Sequence, residues 1–283
     1  MVDVQFFYPR WGAEHVPWID FLNRVSEEGY HGMEWYPFAE KEANNYPIIF
    51  QAMADRGLQF SIVFAVFGET PSFEAYLIAL EEQLFEMAFL GQYGIAPQFI
   101  SAQVGREYFS QEQILTCLAI CSKVEQMSGI PIYQETHRNK WTYGVHRIPA
   151  IKKAFPELKL TLDISHWYCV SESYLEDQQD LVLDLLPHVH HVHTRVGHTQ
   201  GSQIPDVTLE SNAWIVGKHL EVWQQYVNLQ LTNGRSKFTF TTEFGPPPYL
   251  ISSGNLEQDY EEQWRQNKWI KNYLMNHLIF NIS

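Results

Sequence analysis

Cysteine is scarce in this chain of 283 residues: Cys117, Cys121 and Cys169 are an odd number and form no CxxC pair. That count suits buried or half-buried thiols in a reducing cytosol. Positive charge is also sparse, with 19 Lys and Arg against 33 Asp and Glu and a formal net charge of −14. An acidic balance argues against nucleic acid as the main partner, because phosphate binding needs positive faces. Long apolar runs are missing. The longest strand-like one, Phe60 to Phe67, falls far short of the roughly 18 residues of a membrane span, so no membrane partner is expected. Met1-Val2-Asp3-Val4-Gln5 has neither the basic nor the apolar region of a secretory leader, which gives a cytoplasmic expectation. No linker rich in Pro, Gly or Ser breaks the chain, and a single domain over residues 1–283 is expected.

What is present is alternation. Strand-like runs fall at Val2–Phe7, Gly32–Trp35, Gln59–Val66, Phe99–Val104, Ile130–Glu135, Lys159–Asp163, His190–Thr194 and Phe238–Glu243. Helical patterns lie between and after them, at Pro17–Glu28, Tyr46–Arg56, Phe73–Leu90, Gln111–Met127, Pro149–Phe155, Ser173–Leu186, Ala213–Leu231 and Tyr260–Ile279. Eight β-then-α units in this length are the count of an α/β fold of one kind, a single (β/α)8 TIM barrel. A doubly wound open sheet would want a glycine-rich phosphate turn after its first strand. That strand runs instead into Tyr8-Pro9-Arg10-Trp11-Gly12.

In a TIM barrel the chemistry sits at the C-terminal strand ends. Strands five to eight end in or beside Glu135, Asp163, His193 and Glu243. Each carboxylate closes an apolar run, where a lone buried charge is costly and a shared cation removes the cost. Three carboxylates and one imidazole make a hard site for one divalent ion, Mn²⁺, Mg²⁺ or Co²⁺, with Zn²⁺ also compatible. His191 and His193 face one side of their strand, with His191 one layer deeper or a supporting partner. His166, three residues after Asp163, can reach the pocket as a substrate donor or as ligand to a second metal. His137 orients substrate or is structural. Glu34, near the end of strand two, hydrogen-bonds substrate or pairs with an arginine. Trp167, like Tyr8, Trp11, Trp35, Phe67 and Trp141, follows or closes a strand and could wall the pocket. Gly245-Pro246-Pro247-Pro248-Tyr249 lacks the amide donors of a phosphate turn, which leans the substrate toward a neutral sugar, cyclitol or small hydroxy-ketone. Arg106, Arg138 or Arg195 could still bind an anion.

At Glu135-Thr136-His137, Asp163-x-x-His166, His191-Val192-His193 with Arg195, and Thr242-Glu243-Phe244-Gly245, the chain resembles the xylose-isomerase-like TIM barrel superfamily of sugar and sugar-phosphate isomerases and epimerases, over essentially its whole length. The resemblance implies one metal held by Glu135, Asp163, His193 and Glu243. It implies Glu135 and Glu243 as the acid/base pair working through an enediolate, and His166 on the substrate. Arg195, His137 and Trp167 complete the expected substrate contacts. The expected partner is a small polyhydroxylated substrate, and a homo-oligomer is compatible. The same scaffold also hosts dehydratases of cyclic polyol ketones and the nuclease endonuclease IV. Strands three and four offer no histidine for a trinuclear nuclease centre. The arginine that typical epimerases carry six residues beyond the metal histidine is Thr199 here, whereas Arg195 is only two beyond. A phosphodiesterase and a non-catalytic sugar-binding barrel remain the other classes.

Overall fold

The computed structural model describes residues 2–40 and 45–281. Eight strands run in chain order around a closed, all-parallel barrel: β1 (Asp3–Pro9), β2 (Gly32–Trp35), β3 (Gln59–Phe64), β4 (Ile100–Ala102), β5 (Ile132–Glu135), β6 (Leu160–Leu162), β7 (Val189–His193) and β8 (Lys237–Thr241). Closure comes from β1 on β8, in register from Asp3 opposite Lys237 to Phe7 opposite Thr241. Parallel pairing leaves all eight C-terminal ends at one mouth, and closure leaves no free sheet edge.

The helices on the outside are α1 (Trp18–Glu27), α2 (Tyr46–Ala54), α3 (Phe73–Ala88), α4 (Gln111–Ser128), α5 (Ile148–Ala154), α6 (Ile164–Ser171), α7 (Gln179–Leu185), α8 (Ala213–Thr232) and α9 (Leu256–His277). Five of them, α2, α3, α4, α6 and α9, start on side-chain caps. Asn45, Ser72 and Asn255 each accept the amide three residues on, and Ser110 with Gln113 forms a reciprocal capping box. The apolar pattern places the last helix at Tyr260, but the Asn255 cap starts it at Leu256. The larger departure lies after β6. A helix is expected over Ser173–Leu186, but the chain turns helical at once as α6, breaks at Glu172 in the left-handed region (φ 47°), and resumes as α7. The cause is Asp163, whose carboxylate accepts the Ser165 amide at 3.0 Å and so caps a helix in a stretch whose apolar residues carry no helical period.

Two cores result. Between barrel and helices, Tyr8 stacks on Trp264 of α9 at 3.6 Å between ring centroids. Inside the barrel, Phe7, Phe99 and His191 meet in a buried layer, with Phe99 4.6 Å from the His191 ring. Among the described residues no helix is long and apolar enough to cross a membrane. Cys117 and Cys121 are buried free thiols and Cys169 is half-buried, as their spacing suggested.

Gly32 marks the tightest point of this packing. A Cβ there would lie 2.1 Å from the Gln59 carbonyl oxygen on β3 and 3.0 Å from the Phe7 ring. Gly32→Ala should therefore force β2 and β3 apart. We expect a loss of about 1–3 kcal/mol, read by urea unfolding, and an unchanged midpoint would refute this account of the β2–β3 contact.

Candidate active site

The barrel mouth gathers charged side chains from five strands, β2 and β5 to β8. His193, at the end of β7, is the hub. Its Nδ1 lies 2.8 Å from Glu243 Oε2 and 3.7 Å from Glu135 Oε1, and its Nε2 lies 3.1 Å from Glu34 Oε1. Glu34 arrives from β2, Glu135 from the end of β5, and Glu243 from two residues past β8. Gln103, just beyond β4, donates to Glu135 Oε2 at 3.0 Å, and Ser61 on β3 donates to Glu34 Oε2 at 3.3 Å. Beneath them His191 is held by Thr239 at 2.8 Å and Thr241 at 3.0 Å. That is the deeper position expected for it.

Arg195 is the second hub. It follows His193 by two residues and faces the same interior. Its Nε donates to Asp163 Oδ2 at 3.1 Å, its Nη2 pairs with Glu243 Oε1 at 2.7 Å, and its Nη1 donates to Gln203 at 3.3 Å. The guanidinium also lies over Tyr249 at 4.6 Å and Trp11 at 5.5 Å. Asp163 takes two further bonds from Ser165, from its amide at 3.0 Å and its hydroxyl at 2.5 Å.

Of the four expected ligands, three converge. Glu135, His193 and Glu243 offer atoms within 4.8 Å of one another. Asp163 stands beside them but outside that group, because its Oδ2 faces Arg195 and its Oδ1 faces Ser165. His166 and His137 are adjacent, 4.1 Å between rings. His166 is fully buried with Nε2 3.5 Å from Asp163 Oδ2, and His137 reaches the cavity. Trp167 departs from expectation. It is 1% exposed, and its indole nitrogen donates to the Thr142 carbonyl at 2.8 Å. Being on α6 rather than on a loop turns it into the packing behind the mouth. Of the other candidate wall residues, Trp11 and Trp35 line the cavity, whereas Tyr8 and Trp141 are packed away and Phe67 is exposed. Glu34 pairs with histidine and not with an arginine.

Sequence reasoning missed Gln103, Tyr36 and Tyr249, and undervalued Glu34. The rule that picked out Glu135, a lone carboxylate ending an apolar strand, applies equally to Glu34 in Gly32-Met33-Glu34-Trp35. Tyr249 comes in on the long loop after β8, where no periodicity points.

Between these groups lies a cavity of about 330 Å³. Glu34, Gln103, His137, Arg195 and Glu243 form its polar side, and Trp11, Trp35, Tyr36 and Tyr249 its aromatic side. Glu34, Glu135, Asp163 and Glu243 are all buried with Arg195, so four carboxylates face one guanidinium. Burial opposes the charge of Glu243, yet Arg195 and His193 outweigh it and hold the carboxyl down at about 2. Burial raises Glu34 against the pull of His193, and raises Asp163 to about 6 against the pull of Arg195. His193 is disfavoured as a cation by burial, but Glu243, Glu34 and Glu135 lift it well above the ordinary range. Burial lowers His137 to about 4 and holds His166 well below the ordinary imidazole range.

The residues present fit a divalent cation. Glu135 Oε1, His193 Nδ1 and Glu243 Oε2 are buried and make no well-aligned hydrogen bond, although Nδ1 and Glu243 Oε2 stand 2.8 Å apart, and they are the atoms that converge. Orphaned acceptors in a site with excess negative charge are costly unless a cation takes them. Glu34 behind His193 Nε2 has the form of the carboxylate–histidine support that orients a metal ligand.

Arg195 should therefore be a structural necessity as well as part of the cavity. In protein freed of divalent ions, Arg195→Met strips the guanidinium from buried Asp163 and Glu243, leaving them Ser165 and His193 alone as close partners, and should cost about 3–5 kcal/mol in urea unfolding. Adding Mn²⁺ should recover part of the loss. A variant as stable as wild type would show that these ion pairs contribute nothing.

No family model matches the chain, and no curated protein matches it. Solved structures do. A xylose isomerase domain containing protein from Salmonella typhimurium is 13% identical, with a TM-score of 0.64 over 94% of this chain and 97% of that one. The D-allulose 3-epimerase from Methylomonas sp., in complex with D-allulose, is 11% identical, with a TM-score of 0.63 over 98% of each chain. The probable 3-DHS dehydratase involved in petrobactin synthesis from Bacillus anthracis is 17% identical, with a TM-score of 0.61 over 96% and 99%. Eight parallel strands in unbroken order, matched end to end by these structures, give the chain the fold of the xylose-isomerase-like TIM barrel proteins.

Proposed function

We propose that the protein is a metal-dependent isomerase or epimerase of a small polyhydroxylated carbonyl compound, acting by proton transfer next to the carbonyl. The observation that carries this reading is the convergence of three orphaned, buried donors, Glu135 Oε1, His193 Nδ1 and Glu243 Oε2, beside a cavity of about 330 Å³. That volume suits one sugar or cyclitol ring. Its aromatic side can stack on the apolar face of such a ring, while the polar side meets the hydroxyls. Similarity to a sugar epimerase and to a dehydratase supports the substrate class.

Glu135, His193 and Glu243 would hold the cation, with Asp163 adjoining through Arg195. When bound, the cation supplies Lewis-acid stabilisation of the oxygen charge that develops at the carbonyl. The two glutamates are not equivalent. Glu243 is tied to Arg195 and, at 2.8 Å, to His193 and stays a carboxylate, whereas Glu135 accepts from the neutral Gln103 amide through Oε2 and meets His193 only at 3.7 Å. Glu135 is thus freer to take a proton from the substrate carbon and return it. Glu243, from just past β8, three strands round the barrel from β5, serves the other face when both faces are used. Arg195 keeps Glu243 and Asp163 in place, and the aromatic wall excludes water from the reacting carbons. Two buried free thiols accord with a reducing cytoplasm.

Protein purified without chelator should carry about one divalent ion per chain by elemental analysis. Three zinc ions would turn the reading toward a nuclease. In heavy water with Mn²⁺, ketoses or inososes should acquire deuterium next to the carbonyl, seen by mass spectrometry. Glu135→Gln and Glu243→Gln should each lower that exchange by about 10²–10⁴-fold. Label at one carbon indicates epimerisation, label shared by neighbouring carbons indicates isomerisation, and loss of water indicates a dehydratase. No exchange from metal-loaded protein across the panel would overturn the proposal.

A further inference from the structure

Two buried histidines face the same site from different backing groups. Behind His193, Nε2 meets the Glu34 carboxylate at 3.1 Å, an acceptor, so that nitrogen carries a proton and Nδ1 is the nitrogen turned to Glu243 and Glu135, a proton on it facing the carboxylates when no cation is bound. Behind His166 the arrangement is reversed. Its Nδ1 lies 3.3 Å from Nη1 of Arg138, and a guanidinium can only donate. A donor aimed at Nδ1 needs a lone pair there, so the ring proton belongs on Nε2. That nitrogen is buried, has no hydrogen-bond partner and lies 3.5 Å from Asp163 Oδ2.

This matters because Glu135, His137 and His166 also offer atoms within 4.8 Å of one another. On distance alone they are a second cation site sharing Glu135 with the first. With Nε2 protonated and Nδ1 accepting from Arg138, neither nitrogen of His166 has a free lone pair for a cation. We propose that Arg138 is a positioning residue that fixes the tautomer of His166 with Nε2–H directed into the site, making His166 a hydrogen-bond donor and denying the Glu135–His137–His166 cluster a second ion. Arg138 is itself anchored. It donates to Ser202 Oγ at 2.5 Å and to the Tyr249 hydroxyl at 2.8 Å, and its guanidinium lies 5.1 Å from the Tyr249 ring centre. The loops after β5, β7 and β8 thus combine to hold one cation against one imidazole nitrogen. The inference rests on the proposed function only for the identity of the group that accepts from Nε2–H, a substrate oxygen.

The tautomer can be read without turnover. In protein with ¹⁵N-labelled imidazoles, metal-free and loaded with Zn²⁺, long-range ¹⁵N–¹H spectra of His166 should show Nε2 protonated and Nδ1 as the acceptor nitrogen. Arg138→Lys, which keeps a donor, should retain that pattern. Arg138→Met should lose it and take up a second zinc ion per chain, and in any substrate found for the enzyme KM should rise about tenfold with a smaller change in kcat. That factor corresponds to about 1.4 kcal/mol. Arg138 is exposed, so its loss need not disturb folding, and a melting curve checks this. Protonation on Nδ1 in the wild type would overturn the inference. So would an unchanged tautomer in Arg138→Met, or a second wild-type ion that His166→Ala removes. If the exchange experiment fails while these spectra hold, the functional reading fails and the tautomer assignment stands.

Discussion

Everything at the barrel mouth is arranged around one electrostatic fact, the burial of four carboxylates among histidines and a single paired guanidinium, Arg195. An isolated ionised carboxylate in such a place costs far more than a folded domain has to spare. The site therefore has to be over-determined by pairing. Arg195 joins Asp163 to Glu243, His193 joins Glu243 to Glu34, and Gln103 and Ser61 take remaining oxygens. Three converging atoms still lack a well-aligned hydrogen bond, and the excess negative charge says what kind of group suits them.

Barrel closure is what makes that pairing available. Glu34 and His193 are 159 residues apart in the chain, from β2 and β7, and they meet only because β1 and β8 zip together between them. The close approach of Gly32 to Gln59 draws β2 against β3, and this sets the height at which Glu34 presents its carboxylate. Packing and charge are thus not separable here. A shift of β2 by the thickness of a methyl group would move the acceptor behind His193 and with it the nitrogen left to face Glu135.

Much of this could be read from residue order. The eight strands follow the β-rich runs within a few residues, and Glu135, His193 and Glu243 do converge as their strand-end positions suggested. The barrel is legible because each strand is a short apolar run and parallel pairing fixes which end is the mouth. What could not be read depends on side chains choosing among neighbours. Asp163 looked like a ligand of the same rank as the others, but it also caps α6, and that extra turn carries Trp167 away from the cavity into packing. Nothing periodic in Ile164-Ser165-His166-Trp167 announces a helix, since the carboxylate that starts it is one the strand-end rule had already assigned. Arg195 was noticed as an arginine out of its usual place. Its pairing with two carboxylates from β6 and β8 needed the three-dimensional arrangement.

The same comparison explains how similar residue types divide the work. His193 and His166 are both fully buried imidazoles beside carboxylates, and composition gives no reason to treat them differently. Their roles separate through what stands behind each ring. An acceptor leaves a lone pair facing the site, and a donor leaves an N–H facing it. Glu135 and Glu243 separate in the same way, one resting on a neutral amide and the other on a guanidinium. A barrel offers eight strand ends at one level, so chemistry can be changed there by altering the backing residue and leaving the reacting one alone. In this chain the backing residues, Glu34, Gln103, Arg138 and Arg195, come from β2 or from the stretches just beyond β4, β5 and β7. They convert a ring of like charges into groups with distinct proton affinities and directions.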